Sequence, residues 1–126
     1  MAERSRATAT AAAPRDRIVV TDGALATVIG LAAHEVPGVV GMAPASLREG
    51  LNRMLGASRA DEGVEVDRKD ENAQKADVEL SVVVAYGVNI PVVADSVRER
   101  VRYAARTYTG IEVGEVKVNI AGVSRG

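Results

Sequence analysis

The sequence predicts an α+β fold, a two-layer sandwich in which a mixed or antiparallel sheet carries helices on one face. Two stretches with apolar residues at helical spacing lie among stretches in which apolar and polar residues alternate, as they do in strands. The predicted order is β-α-β-(short α)-β-β-α-β, and such interleaving is typical of two-layer domains. A chain of 126 residues has the length of one domain, which we place at residues 18–124.

The first 17 residues are predicted to be a disordered N-terminal tail. They read MAERSRATATAAAPRDR and contain no Leu, Ile or Val, so they offer no apolar anchor and no apolar core of a secretory signal. No other stretch approaches the roughly 18–20 apolar residues of a membrane span. We therefore expect a cytoplasmic protein with no direct membrane span.

The first half of the domain is predicted to contain a strand, a helix, a second strand and a short helix. Residues 18–20 (Ile-Val-Val) are a β-branched run before Thr21-Asp22-Gly23, a sequence typical of a helix start. Helical spacing then continues until Pro37-Gly38 through Leu25, Val28, Ile29, Ala32 and Val36. Val39–Met42 is the second strand. Residues 46–56 predict a short amphipathic helix, either a lid on the core or a docking segment.

A long antiparallel hairpin is predicted at residues 64–86. Val64 and Val66 alternate with acidic residues, and after a turn at residues 68–76 a second alternation runs to Tyr86. One face of this hairpin is apolar. The other face is acidic near the turn and becomes apolar at Val83 and Ala85, so the far half of the second strand is predicted to be buried on both sides.

The last part of the domain is predicted to be a long helix followed by a strand. Asn89-Ile90-Pro91 favours a helix start and Thr109-Gly110 a helix end. The expected buried stripe consists of Val93, Val97, Val101, Ala104 and Tyr108. Tyr86 and Tyr108 are both expected in the core. Val116, Val118 and Ile120 alternate with polar residues in a strand that ends at Gly122.

The composition disfavours most enzyme chemistry, and we predict no catalytic, cofactor-binding or metal-binding residue and no cofactor. The chain has no Cys and a single His, His34, which excludes thiolate metal sites and any site with two imidazoles. His34 is expected to interact with the dipole at the end of the first helix. Nucleic-acid binding is disfavoured, because the net charge is −1 and acidic residues dilute the arginine cluster of the second long helix.

Charge is distributed unevenly along the chain, and this predicts protein interaction surfaces. Eight acidic residues oppose three basic ones between positions 61 and 79, a net charge of −5, whereas four arginines oppose two acids between positions 95 and 106, a net charge of +2. The candidate interaction residues are Glu65, Asp67, Asp77, Glu79, Arg98, Arg102 and Arg106, with Val83 and Ala85 as an apolar seam. We expect salt-sensitive homo-oligomers or filaments; the alternative is a monomer with an ordinary charged surface.

Several blocks of sequence resemble one known family. The run YGVNIPVVADSVRERVRYAARTYTGIEVGEVKVNIAGV, residues 86–123, resembles the C-terminal half of the alkaline-shock protein family of envelope stress response proteins. Earlier blocks fit as well: Thr-Asp-Gly-Ala-Leu at 21–25, Ala-His-Glu-Val-Pro-Gly-Val at 33–39, and Gly-Val-Glu-Val at 63–66. The resemblance covers residues 18–123. Within it, residues 43–62 match only in character, and the tail has no counterpart.

This resemblance implies a bacterial protein that is not an enzyme. It implies a cytoplasmic protein held near the membrane by an integral membrane anchor protein, peripheral at the cytoplasmic face, that supports envelope homeostasis under stress as an interaction or scaffold protein. No catalytic residues carry over, because the matching motifs are structural signals. The alternative function is a regulatory module that senses a small ligand, which rests on analogy of fold alone.

Overall fold

Two helices and four strands make up residues 18–43 and 63–125, which a computed structural model describes. The elements in chain order are α1 (Asp22–His34), β1 (Val39–Met42), β2 (Val64–Asp67), β3 (Lys75–Ala85), α2 (Ile90–Thr109) and β4 (Glu112–Ser124). Both helices pack on the same face of the sheet, so the predicted α+β class is confirmed. The tail at residues 1–17 and the short helix at residues 46–56 lie outside the described residues.

The long strand β3 is the centre of a mixed sheet. β1 pairs antiparallel with residues 82–84 of β3, and β2 pairs antiparallel with residues 77–80. β4 runs parallel to β3 along residues 75–85. Because a strand has only two edges, β1 and β2 lie end to end along one edge of β3 and β4 occupies the other.

The two short strands meet at a backbone seam opposite Ser81. The Ser81 N–H donates to the carbonyl oxygen of Gly63 at 2.9 Å, and the Ala43 N–H donates to the carbonyl oxygen of Ser81 at 3.0 Å. Gly63 has a φ of +83°, and a Cβ atom there would lie 2.5 Å from the Ala43 carbonyl oxygen. Only glycine fits this position, because both the backbone conformation and the close approach exclude a side chain.

One apolar core lies between the helices and the sheet. Its largest fully buried side chains come from α1, β3 and α2: Leu25, Ile29, Leu80, Val82, Val84, Val97 and Val101. The alternation predicted for the hairpin is confirmed by register, since Val64 lies opposite Leu80 and Val66 opposite Val78. The helical stripe is confirmed through Ala104, and no buried residue of the described ranges is aromatic.

Local signals fix the starts of both helices and the end of α2 where the sequence placed them, whereas α1 ends at His34, before the predicted end at Pro37-Gly38. The Thr21 hydroxyl accepts a hydrogen bond from the Ala24 N–H at 3.1 Å, and the Asn89 side-chain oxygen accepts one from the Val92 N–H at 3.2 Å. Gly110 ends α2 in the left-handed conformation, with φ at +78°. The crossover through α2 places β4 beside β3 in the parallel direction, as this type of connection does.

Three local predictions were wrong. Residues 18–20 form no strand: the Val20 carbonyl oxygen accepts a hydrogen bond from the Arg68 guanidinium instead of joining a ladder. Tyr86 and Tyr108 are not in the core but 69% and 67% exposed. Tyr86 follows the last residue of β3, and in α2 the buried stripe shifts to Ala105.

The far half of β3 is less covered than predicted. Val83 and Ala85 are half-buried rather than buried on both sides. They lie on the face of the sheet opposite the helices, where Gly41 and Gly122 flank Val83. The small neighbours leave Val83 partly accessible.

Deleting residues 1–16 is expected to leave the melting temperature within about 2 °C of the full chain. Within residues 18–43 and 63–125, the hydrogen bonds at the start of the domain involve Val20 and Thr21, and the tail sequence has no apolar anchor. A thermal melt followed by circular dichroism checks this. Deletion of residues 1–21 is the matched control: it removes the Thr21 cap and should cost about 1 kcal/mol or more. A drop of several degrees for the shorter deletion would show that the tail packs on the domain.

Candidate interaction surfaces

Four of the predicted acidic residues are brought together on the face of the sheet that the helices leave uncovered. Glu65 and Asp67 of β2 lie directly opposite Glu79 and Asp77 of β3. They line a shallow depression of about 450 Å³, together with Val66, Val78, Glu115 and Lys117. We call the four carboxylates and this depression the acidic face.

The acidic face contains like charges in direct cross-strand pairs, an arrangement that costs stability. Two of its carboxylates have partners that offset part of this cost. The Glu79 carboxylate accepts a hydrogen bond from the Asn119 amide at 2.7 Å and lies 3.9 Å from the Lys117 ammonium. Asp77 accepts one from the Glu115 N–H at 2.9 Å. The carboxylates outnumber the single Lys117 ammonium, so the face has a net negative charge that is complementary to a basic surface.

The predicted basic residues form a stripe along α2, and their environments differ. Arg98 pairs with the carboxylate of Asp95. The guanidinium of Arg102 donates to the carbonyl oxygen of Gly114 at 2.8 Å. Arg106, in the last turn, is exposed. Arg102 and Arg106 carry the net positive charge of this stripe, because Asp95 offsets the charge of Arg98.

The acidic face and the arginine stripe lie on opposite layers of the domain. The four carboxylates point away from the helices, whereas α2 packs on the other face of the sheet. Sequence reasoning predicted both surfaces, but their placement on opposite sides depends on the register and the layer order. One molecule cannot bring them into contact with each other, so complementary contacts must involve a second molecule.

The predicted apolar seam is present but shallow. Val83 and Ala85 follow Asp77 and Glu79 on the same face of β3, at the end of the strand farther from the turn. Both side chains are half-buried. They extend the acidic face with an uncharged strip.

Sequence reasoning missed two arginine sites. The Arg68 side chain is 1% exposed and bonds Asp22 at 2.6 Å, the Ala73 carbonyl oxygen at 3.3 Å and the Val20 carbonyl oxygen. The position of Arg68 in a charged turn gave no signal of this burial. Its role is structural, because it joins the start of α1 to the hairpin turn.

The second missed site joins the end of α1 to the middle of α2. The Arg100 guanidinium donates to the Glu35 carboxylate, with the Nε atom at 2.9 Å, and lies 5.6 Å from the centre of the Tyr103 ring. The hydrogen bond to Glu35 and its negative charge raise the pKa of Arg100 above its ordinary value. Beside this pair is an open groove of about 520 Å³ lined by Val36, Pro37 and Ser96, among others.

Within residues 18–43 and 63–125, no three His, Cys, Asp or Glu side chains are grouped so that they could hold a metal ion. His34 lies in the last turn of α1, and its Nδ1 atom is 2.9 Å from the carbonyl oxygen of Gly30. Across the same ranges, neither helix is long and apolar enough to cross a membrane.

The fold and its surfaces define a two-layer α+β domain with a negatively charged sheet face and a positively charged helix stripe. A family model matches residues 10–125, nearly the whole chain. The chain belongs to the alkaline-shock protein 23 family, whose function is described as cell envelope-related. This confirms the resemblance found in the sequence and extends it to residues 10–17 of the tail, which were expected to have no counterpart.

Curated relatives match along most of their length. YloU and YqhY of Bacillus subtilis (strain 168) are 30% and 29% identical over 85% of this chain, and the matches cover 88% and 76% of those proteins. Spy1614 of Streptococcus pyogenes serotype M6 is 31% identical over 84% of this chain and 86% of its own length. All three are described as uncharacterized proteins.

Solved structures of one domain, the MamM CTD, resemble the path of the chain. A double variant is 17% identical, with a TM-score of 0.46 over 79% of this chain and 93% of that chain. A cadmium form is 17% identical, with a TM-score of 0.48, and the match covers 84% of this chain and 100% of that chain. At such TM-scores the likeness carries no functional information.

Proposed function

We propose that this protein is a non-enzymatic scaffold of the envelope stress response that works in the cytoplasm near the membrane. It acts by binding protein partners and further copies of itself. Membership of a family with a cell envelope-related function supports this proposal. The observation that carries it is the presence of two complementary charged surfaces on opposite layers of one domain.

Because the two charged surfaces lie on opposite layers, copies of the protein can associate head to tail. The acidic face of one copy fits the arginine stripe of a second copy, whose own acidic face then remains open for a third. Such a contact joins two different patches, so it need not close into a ring and can extend a chain of copies. Val83 and Ala85 add an apolar strip beside the charged contact.

The charge-driven contact is expected to weaken with salt, because exposed charges are screened within about 10 Å at 0.1 M ionic strength. Light scattering across a salt series measures this. Glu65→Lys and Arg106→Glu should each reduce assembly, and one chain with both changes should recover it. Glu99→Lys is the matched control for the charge change: Glu99 is exposed on α2, in the layer opposite the acidic face, so this variant should not reduce assembly. A wild-type protein that is monomeric at low salt and high concentration contradicts the contact.

A membrane partner is the second part of the proposal. An integral membrane anchor protein with a basic cytoplasmic segment suits the acidic face, which invites positive charge. Affinity capture from native membranes tests it, with wild type and Glu65→Lys as bait beside the Glu99→Lys control. We expect a membrane protein that wild type and control retain and Glu65→Lys loses. If all three proteins capture the membrane protein equally, that protein does not bind at the acidic face.

A further inference from the structure

Within residues 18–43 and 63–125, β4 forms an edge of the sheet. It is 13 residues long, and among the described residues only β3 pairs with it. The opposite edge of the sheet is occupied by the two four-residue strands β1 and β2. An edge of this length presents unpaired backbone groups that form a template for another strand.

Hydrogen bonds on β3 show which backbone groups face β4. The Ser81 N–H donates to Gly63 on the side of β2, whereas the Tyr86 N–H donates to the Ser124 carbonyl oxygen on the side of β4. Peptide groups of a strand alternate between its two edges. The even-numbered residues of β3 therefore direct their N–H and C=O groups toward β4.

The same alternation identifies the open groups of β4. Leu80 is the register partner of Val118, and in a parallel ladder a residue bonds the two neighbours of its partner, here Lys117 and Asn119. The residues between those that bond β3 direct their N–H and C=O groups outward; they are Val116, Val118 and Ile120.

Irregularities limit the regular open segment to residues 116–120. The register with β3 shifts before Val116 and again after Ile120. At the first shift, the Gly114 carbonyl oxygen already accepts a hydrogen bond from Arg102 at 2.8 Å. The open segment reads Val-Lys-Val-Asn-Ile, with apolar side chains toward the helices and polar ones on the other face.

We propose that two copies pair through this segment in antiparallel fashion, about a two-fold axis at Val118. This register sets Val116 against Ile120 of the second copy on the inner face, and Lys117 against Asn119 on the outer face. No like charges then lie opposite each other, whereas an axis at Lys117 would place two ammonium groups together. The outward groups of the three apolar residues exchange six main-chain hydrogen bonds, as hydrogen-bonded antiparallel pairs do.

The product is one continuous sheet that joins strands β1–β4 of both copies, with α1 and α2 of both copies on one side. Val118 and Ile120, half-buried in the single copy, become covered by the second copy. The contact uses the same patch on both molecules, so it closes as a dimer. It is separate from the charge-driven contact, since it depends on main-chain hydrogen bonds and apolar side chains that salt does not screen.

The test compares Val118→Pro with Val118→Thr in the full chain at about 1 M salt, where charge-driven assembly is screened. Proline removes an N–H that the single copy leaves unpaired and is tolerated at such edge positions. Threonine keeps both the N–H and the branched shape. Analytical ultracentrifugation should give a dimer for wild type and Val118→Thr. Val118→Pro should be a folded monomer, with a dimer dissociation constant at least tenfold higher than that of wild type. A wild-type monomer at millimolar concentration, or a Val118→Pro dimer, overturns the proposal.

Amide hydrogen exchange of the wild-type protein provides a readout that needs no variant. Dimer formation should slow exchange at Val116, Val118 and Ile120 as protein concentration rises, while Lys117 and Asn119 are protected at all concentrations. Exchange at the three amides that is independent of concentration overturns the dimer. Protection that appears only on addition of another protein would assign the edge to a different strand and also overturn it.

Discussion

Replacing Val97 with aspartate is expected to unfold the domain. Val97 is 0% exposed in the middle of α2 and packs in the core with Val101 and the β3 valines. A carboxylate placed there has no partner, and burial of such a group costs several kcal/mol. Domains of this size have total stabilities of about 5–15 kcal/mol, so most of the margin is lost.

The same helix provides a matched control. Val92 is 58% exposed in the first turn of α2, where an acidic residue also interacts favourably with the helix dipole. Val92→Asp should therefore melt within a few degrees of wild type. Circular dichroism and urea titration measure both variants. A Val97→Asp protein as stable as the Val92→Asp control would show that α2 does not bury this stripe.

Replacing Arg68 with alanine is expected to lower the free energy of unfolding by about 2–3 kcal/mol, the range for lost hydrogen bonds to charged groups. The side chain is 1% exposed and bonds three segments: the residues before α1, the first turn of α1 and the hairpin turn. The larger cost of breaking a fully buried ion pair does not apply, because the Asp22 partner is 51% exposed and regains water.

Two further substitutions separate the contributions at this site. Arg68→Lys keeps the charge but loses the planar fork that reaches several acceptors, so it should recover only part of the stability. Asp22→Ala leaves the buried Arg68 guanidinium with two carbonyl acceptors but no counter-charge, so it should cost at least as much as Arg68→Ala. Urea denaturation measures all three. If Arg68→Ala and wild type have the same free energy of unfolding, hydrogen bonds to water fully replace those of the Arg68 guanidinium.

The elements that the sequence predicted well are those with long, regular patterns. α2 combines a side-chain cap at Asn89, a stripe of valines and a closing glycine, and each signal depends on nearby residues alone. The hairpin was predicted for the same reason, since Val64, Val66, Val78 and Leu80 alternate on one face. Both ends of α2 and the apolar face of the hairpin followed from local chemistry.

Features that depend on distant residues were not predictable from a single sequence. Periodicity placed Tyr86 and Tyr108 on apolar stripes. It does not show at which residue a strand or helix stops contacting the opposite layer, so it cannot predict that the two tyrosines are exposed. The end-to-end arrangement of β1 and β2 depends on which part of β3 each strand pairs with. The pairing of Arg68 with Asp22 spans 46 positions, and no short motif reports it.

The candidate surfaces show the same division. Composition and alternation were sufficient to place Glu65, Asp67, Asp77 and Glu79 on one polar face of the hairpin. Their direct opposition in pairs, and the position of the arginines on the other layer, required the fold. Sequence also gave no sign that Arg98 and Arg102 are already partly engaged by Asp95 and Gly114.

The seam at Ser81 has a consequence for how relatives of this protein can diverge. β1 ends next to Ala43 and β2 begins next to Gly63, and both Ala43 and Gly63 bond the same residue of β3. A chain segment whose ends are held side by side can change in length at small cost, since doubling a loop adds only about 0.6 kcal/mol of closure entropy. Sequence can therefore be inserted, shortened or exchanged between these two residues while every strand keeps its partner. Relatives can acquire different binding specificities at this point without a new fold.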